Sequence, residues 1–292
     1  MMEEEKKNIK KRKNKRVLHF YANDNNFSKV NVDIPEEFKN KIVCGDSLEV
    51  LKKLPDNCID LIFTSPPYSF GKEYSEYDDS LKDEEYFEML YKILDECIRV
   101  TKYGGRIAIN IMPKYSTYVP THFFIMQRMI ENKMIWKNSI TWLKNTRACS
   151  YSAWGSYRSS SSPFMKHTYE NIDIYAKGTR KKQNVDHENC DDMTALEFSE
   201  FVKTGIWSIA PENQMKKYGH PAMFPKKLAY QILKLYSAKG DMICDPFSGC
   251  GTTSLVAFET NRNYLGIDID KEYSNKAFER IENARRNRKE TE

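Results

Sequence analysis

Three short stretches hold residue types suited to chemistry. The first, Asp245 to Thr253 ("DPFSGCGTT"), follows the apolar run "MIC" and opens an apolar, helix-forming segment. Glycines at such a turn let the backbone approach a ligand, and a helix start offers free N–H groups. Asp268 ends the next apolar run, 17 residues beyond Gly251, about where doubly wound folds place the carboxylate that binds ribose hydroxyls. These features describe a nucleotide-type pocket, while the absence of G-x-G-x-x-G argues against a nicotinamide cofactor. The second stretch, Ser65-Pro66-Pro67-Tyr68, ends the apolar run "DLIFT". Its prolines fix φ and force the preceding residues extended, so it is either a rigid cradle or an ordinary proline-rich turn. The third, "HPAMFPKKL" from His220 to Leu228, sets Pro225 at the start of an apolar-periodic segment, a favoured place for proline.

Regular elements must position these residues. "KIVC", "DLIFT", "RIAINI", "MIWKNSITWLK", "ENIDIYAKG", "DMICDPF" and "NYLGIDI" read as strands. Between them, "SLEVLKKL", "DEEYFEMLYKILDECIRVTKYGG", "THFFIMQRMIENK", "PKKLAYQILKLYSAKG" and the segment from Thr253 to about Thr260 read as helices. The second helix has apolar positions at Phe87, Leu90, Tyr91, Leu94 and Ile98, and Gly104-Gly105 is read as its stop. This alternation predicts an α/β, doubly wound, mostly parallel sheet covered on both faces. Two pieces break it: the loop 145–167 and the polar stretch 177–206, both without strong periodicity.

At 292 residues with 40% hydrophobic content, the chain can bury a large core. No apolar run reaches a membrane span, and the first residues have charge without an apolar core, so neither anchor nor secretory signal is expected, and a cytoplasmic location is the expectation. Seven cysteines with no C-x-x-C pair argue against a disulfide framework and a zinc site, and "HENC" (His187 to Cys190) lacks metal-binding partners. Residues 1–16 hold eight Lys/Arg against three Glu, a surplus equal to the +5 of the whole chain. They read as a flexible basic arm ahead of a domain spanning 17–292, suited to phosphate attraction or to solubility alone. "ARRNRKE" near the C-terminus is read in the same style.

Taken together and in this order, "TSPPY", "HPAMFPKKL" and "DPFSGCGTT" resemble the amino-group DNA methyltransferases of restriction-modification systems, in the circularly permuted order often called beta. The resemblance runs from about Lys41 to Asn283 and implies a permuted methyltransferase fold that uses S-adenosylmethionine. It assigns catalysis to Ser65, Pro66, Pro67 and Tyr68. It assigns cofactor binding to Asp46, His220, Phe224, Pro225, Asp245, Phe247, Gly249, Gly251, Thr252 and Asp268, with no metal. It also implies that the strands ending at Cys44 and Phe63 neighbour the cofactor strand. In that family the Ser65 hydroxyl and the Pro66 carbonyl would accept hydrogen bonds from an exocyclic amino group, and Tyr68 would stack on the base.

Ser before Pro-Pro is associated mainly with cytosine N4, so the expected reaction is N4 methylation of a cytosine flipped from duplex DNA. It would protect a short specific sequence from a cognate restriction endonuclease, the enzyme acting as monomer or dimer. Adenine N6 is the nearest alternative; an RNA amino-methyltransferase and a non-catalytic DNA-binding scaffold are the others. No Pro-Cys pair is present, against a C5-cytosine enzyme. Arg147, Tyr151, Trp154, Tyr157 and Arg158 of the loop 145–167 can contact phosphate, stack or read base edges, and the insert 177–206 stands where the family carries target recognition.

Overall fold

In the computed structural model the alternating strands and helices assemble around one large sheet. The structure describes residues 21–67, 73–74, 77–78, 83–113, 119–144, 160, 167–183, 193–213, 219 and 223–291. The first part holds β1 (Lys41–Cys44), α1 (Ser47–Leu51), β2 (Ile59–Thr64) and a small hairpin of β3 (Glu73–Tyr74) and β4 (Tyr77–Asp78). Next come α2 (Asp83–Val100), β5 (Thr101–Ile111), α3 (Thr121–Glu131), β6 (Ile135–Leu143) and β7 (Tyr169–Ala176). Then follow α4 (Ala195–Val202), β8 (Ile206–Ser208), α5 (Lys226–Tyr236), β9 (Met242–Asp245), α6 (Thr252–Glu259), β10 (Asn263–Asp268) and α7 (Lys271–Thr291).

Among the described residues the large sheet has eight strands in the order β1-β10-β9-β2-β5-β7-β6-β8. All neighbours run parallel except β7, which is antiparallel to both β5 and β6. Side chains alternate across it with period two, and both faces are buried. Ile62, Ile107, Ile109, Cys244 and Leu265 enter a core with Leu51, Leu90, Leu94 and Met129 of the helices α1 to α3. Leu61, Phe63, Ala108 and Ile243 enter the opposite core with Leu228, Ile232 and Val256 of α5 and α6. The central strands thus read as continuous apolar runs, and their carboxyl ends all open on one edge.

Four readings are corrected. Gly104-Gly105 does not stop α2, which ends at Val100; the glycines lie inside β5, where the pairing with β2 jumps from Ile59–Thr101 to Leu61–Arg106. Gly104 has φ 85°, and a Cβ on Gly105 would stand 2.9 Å from the Lys102 carbonyl oxygen, so the pair makes room for a bulge. The polar stretch 177–206 holds α4, capped reciprocally by Thr194 and Glu197, and begins β8. The basic C-terminal run lies in helix α7. The strand ending at Cys44 pairs with β10 and is one strand removed from β9, whereas the Phe63 strand does adjoin β9. The arm 1–16 and almost all of the loop 145–167 lie outside the described residues. Among described helices, none is long and apolar enough to cross a membrane.

Candidate active site

A cleft lies at the carboxyl ends of β2, β9 and β10, the edge at which open α/β sheets bind ligands. Chain segments distant in sequence meet there because β9 pairs directly with β2, Leu61 opposite Ile243 and Ile62 opposite Cys244.

From β9 the chain turns through Pro246 to Gly251 and enters α6. Gly249 adopts φ 49° and donates its N–H to Asp268 Oδ2 at 2.7 Å. The Asp270 N–H donates to Asp268 Oδ1 at 2.9 Å. Burial nevertheless pushes the Asp268 carboxyl above its ordinary range, so those two N–H bonds only partly offset desolvation. Asp268 lines the cleft with lone pairs still free to accept from hydroxyls. Gly251, at φ 73°, caps α6, and a Cβ there would stand 2.6 Å from the Ala277 Cβ of α7. Glycine is therefore required at 251 for backbone and packing reasons together.

Asp245 ends β9 but does not face the cleft. It is buried, accepting from Thr64 Oγ1 and Thr253 Oγ1, each at 2.7 Å, and from the Phe247 N–H at 3.1 Å. Burial pushes it up to about 6, against the pull of those donors. It ties the end of β2 to the start of α6 and does not itself line the cleft. Pro225 likewise caps α5 with φ −72° without lining the cleft. It carries the preceding Phe224 into the wall, where that ring packs 4.9 Å from Phe63.

Ser65, Pro66 and Pro67 line the same cleft, across from Asp268 and Gly249. The Pro67 carbonyl accepts from Tyr86 Oη at 2.7 Å. The Pro66 carbonyl accepts from none of the described residues. Ser65 Oγ donates to the Asn110 carbonyl at 3.0 Å. Asp46 accepts from the Glu49 N–H at 3.0 Å, capping α1 at the cleft's edge, and Phe247 and Thr252 complete the predicted wall. Tyr68, His220 and the loop residues Arg147, Tyr151, Trp154, Tyr157 and Arg158 lie outside the described residues.

The sequence reading missed Ser47, Met89, Ile93, Ser248, Asp270 and Tyr273, all in the wall. Met89 and Ile93 share one face of α2 at the i, i+4 spacing of a core stripe, and Tyr273 comes from the unforeseen α7. The donor set suits a nucleoside bearing a positive centre. Asp46, Asp268 and Asp270 supply negative charge, Phe224 and Phe247 apolar faces, and the start of α6 free N–H groups. Ser248 Oγ is buried without a partner among the described residues.

The DNA methylase family of N6 and N4 amino-methyltransferases matches residues 59–279. The type II methyltransferase M.HpaI of Haemophilus parainfluenzae is 30% identical over 250 residues, 83% of this chain and 74% of that protein. The DNA adenine methyltransferase YhdJ of Escherichia coli K12 is 25% identical over 262 residues, 85% of each chain. The structure of TTHA0409 from Thermus thermophilus, complexed with S-adenosyl-L-methionine, superposes with a TM-score of 0.65 at 25% identity, covering 83% of this chain and 93% of that one. The chain belongs to the N6/N4 family of S-adenosylmethionine-dependent DNA methyltransferases.

Proposed function

We propose that the chain methylates the exocyclic N4 amino group of a cytosine flipped out of a short specific sequence in duplex DNA. The observation that carries the proposal is the pairing, across one cleft, of two groups that keep acceptor capacity among the described residues with a nucleoside-type wall. The acceptors are Ser65 Oγ and the Pro66 carbonyl; the wall is Gly249, Phe224 and Asp268.

When bound, S-adenosylmethionine supplies a methyl group on a sulfonium, whose C–S electrons stay with sulfur on transfer. Asp268 would hold its ribose hydroxyls, Phe224 and Phe247 its adenine, with Asp46 beside them. The demanding partner is then the nucleophile, whose lone pair is delocalised into the base. Ser65 Oγ and the Pro66 carbonyl accept from the two amino N–H groups, which favours a pyramidal nitrogen with its lone pair free to react. The prolines hold both acceptors in place before the base arrives. After transfer the nitrogen gives up one proton to water. Tyr68 stacks on the flipped base, and stacking with edge contacts offsets an extrusion cost of a few kcal/mol. Arg147, Tyr151, Trp154, Tyr157 and Arg158 contact the duplex, and the methyl mark shields the sequence from a cognate endonuclease.

Adenine N6 is the second reading, favoured by the likeness to an adenine methyltransferase. Ser65 supports cytosine: a short neutral hydroxyl and a longer carboxylate suit bases of different size. Digesting DNA methylated by the purified chain to nucleosides and weighing them is the test. N4-methylcytosine is the expected product; N6-methyladenine overturns the cytosine reading and leaves the methyltransferase reading standing.

A further inference from the structure

We propose that Asn110 is a positioning residue that sets the Ser65 hydroxyl as a pure hydrogen-bond acceptor toward the target amino group; this rests on the reading above. Asn110 stands near the carboxyl end of β5, which pairs directly with β2, the strand that delivers Ser65. Its backbone carbonyl takes the Ser65 Oγ proton at 3.0 Å, and its side-chain Nδ2 donates back to Ser65 Oγ at 3.3 Å. A hydroxyl has one proton and two lone pairs. With the proton spent and one lone pair occupied, the capacity left on Ser65 is a single acceptor site.

The amide cannot turn over to offer its oxygen instead. Asn110 Nδ2 also donates to Glu170 Oε2, on the neighbouring strand β7. Glu170 is 4% exposed and paired with Lys144. A flipped amide would point Oδ1 at that carboxylate. The chain Lys144, Glu170, Asn110, Ser65 therefore fixes the direction of every proton along it. The remaining Asn110 Oδ1 is buried with no partner among the described residues. A residue kept only for stability would not leave that atom unmatched, whereas one kept for the direction of its N–H would. An acceptor-only Ser65 welcomes a base edge that presents N–H and rejects one that presents a carbonyl, so the relay selects amino-bearing bases over keto-bearing ones.

A double-mutant cycle tests this, because two residues acting as one unit give non-additive losses. Single-turnover methyl transfer to duplex DNA, with DNA and S-adenosylmethionine both saturating, is measured for wild type, Asn110→Asp, Ser65→Ala and the double variant. Calorimetry gives the methyl-donor affinity of each. Asn110→Asp, which replaces the donor by a second carboxylate, is expected to slow the chemical step by about tenfold to a hundredfold. Donor affinity should stay within about twofold, and adding Asn110→Asp to Ser65→Ala should cost nothing further. Asn110→Ala carries the same cycle if the aspartate beside Glu170 prevents folding. Losses that multiply in the double variant, or an Asn110→Asp chain as fast as wild type, overturn the positioning role. A wild-type chain that binds the donor yet methylates no DNA overturns the reading beneath it.

Discussion

The two ends of the central strands hold different buried polar groups, a lysine network at one and the walls of the cleft at the other. At the amino ends Lys177 and Asp60 are matched, whereas the Tyr175 hydroxyl is buried without a partner among the described residues. Lys177, 3% exposed, donates to Asn57 Oδ1 at 2.7 Å and to the Arg99 and Thr101 carbonyls at 2.8 Å each. Asp60 accepts from Lys102 Nζ at 2.8 Å and from the Met242 N–H at 3.0 Å, and Asp241 pairs with Lys182. At the carboxyl ends Asp245 is matched, while Ser248 Oγ and Asn110 Oδ1 are buried without partners among the described residues, and the Pro66 carbonyl has no donor among the described residues. Unmatched polar atoms cost stability, and those beside the cleft mark places where the fold has given some of it up. Substitutions at the two ends should therefore separate activity from stability.

The largest separation is expected at Ser65. Ser65→Ala should slow methyl transfer by about a hundredfold or more, the scale seen when a preorganised hydrogen-bonding group at a reacting centre is removed. Its thermal midpoint should match wild type, because the hydroxyl is half-buried and its partner, the Asn110 carbonyl, keeps a neighbouring strand. Single-turnover kinetics beside a melting curve checks both halves. A variant that loses stability in step with activity would erase the contrast between the ends.

Lys177→Met should do the reverse. It leaves three buried acceptors without their donor, a loss of about 2 kcal/mol after partial relief from no longer burying a charge. Urea unfolding should report that loss, while S-adenosylmethionine affinity at low denaturant stays unchanged. A drop in donor affinity would mean that the amino-end network reaches the cleft.

What could be read from the sequence follows the same division. Asp268 was legible as the acidic end of an apolar strand, and Gly249, Ser65 and Phe224 because each is, or stands beside, a glycine or proline with a fixed backbone consequence. Asn110 was not: within "RIAINI" it looks like one polar residue in a buried strand, and its partners lie 45 and 60 residues away. Lys177 was equally opaque, a lysine at a strand end whose acceptors, two backbone carbonyls and the distant Asn57 amide, no pattern announces. The α4 signal was present as Thr194-x-x-Glu197 but was outweighed by the polar composition around it. Gly104-Gly105 misled because a glycine pair serves a helix stop and a strand bulge alike, and only the register with β2 separates the two.

The gentlest test reads both ends through pH. Asp245 is pushed up to about 6 by burial, above the 3.8 of an unburied aspartate. Between those values the folded chain binds a proton that the unfolded chain does not, so this group lowers stability as pH rises from about 4 to 6. Lys177 is pushed down to about 8 by burial, below 10.5. Between about 8 and 10.5 the unfolded chain holds the extra proton, so this group raises stability as pH rises. Each slope is bounded at about 1.4 kcal/mol per pH unit for one proton. Subtracting the Asp245→Asn profile from wild type should leave a falling limb on the acid side, and subtracting Lys177→Met a rising limb on the alkaline side. A limb of the opposite sign at either group would mean that its surroundings favour the charged form despite burial.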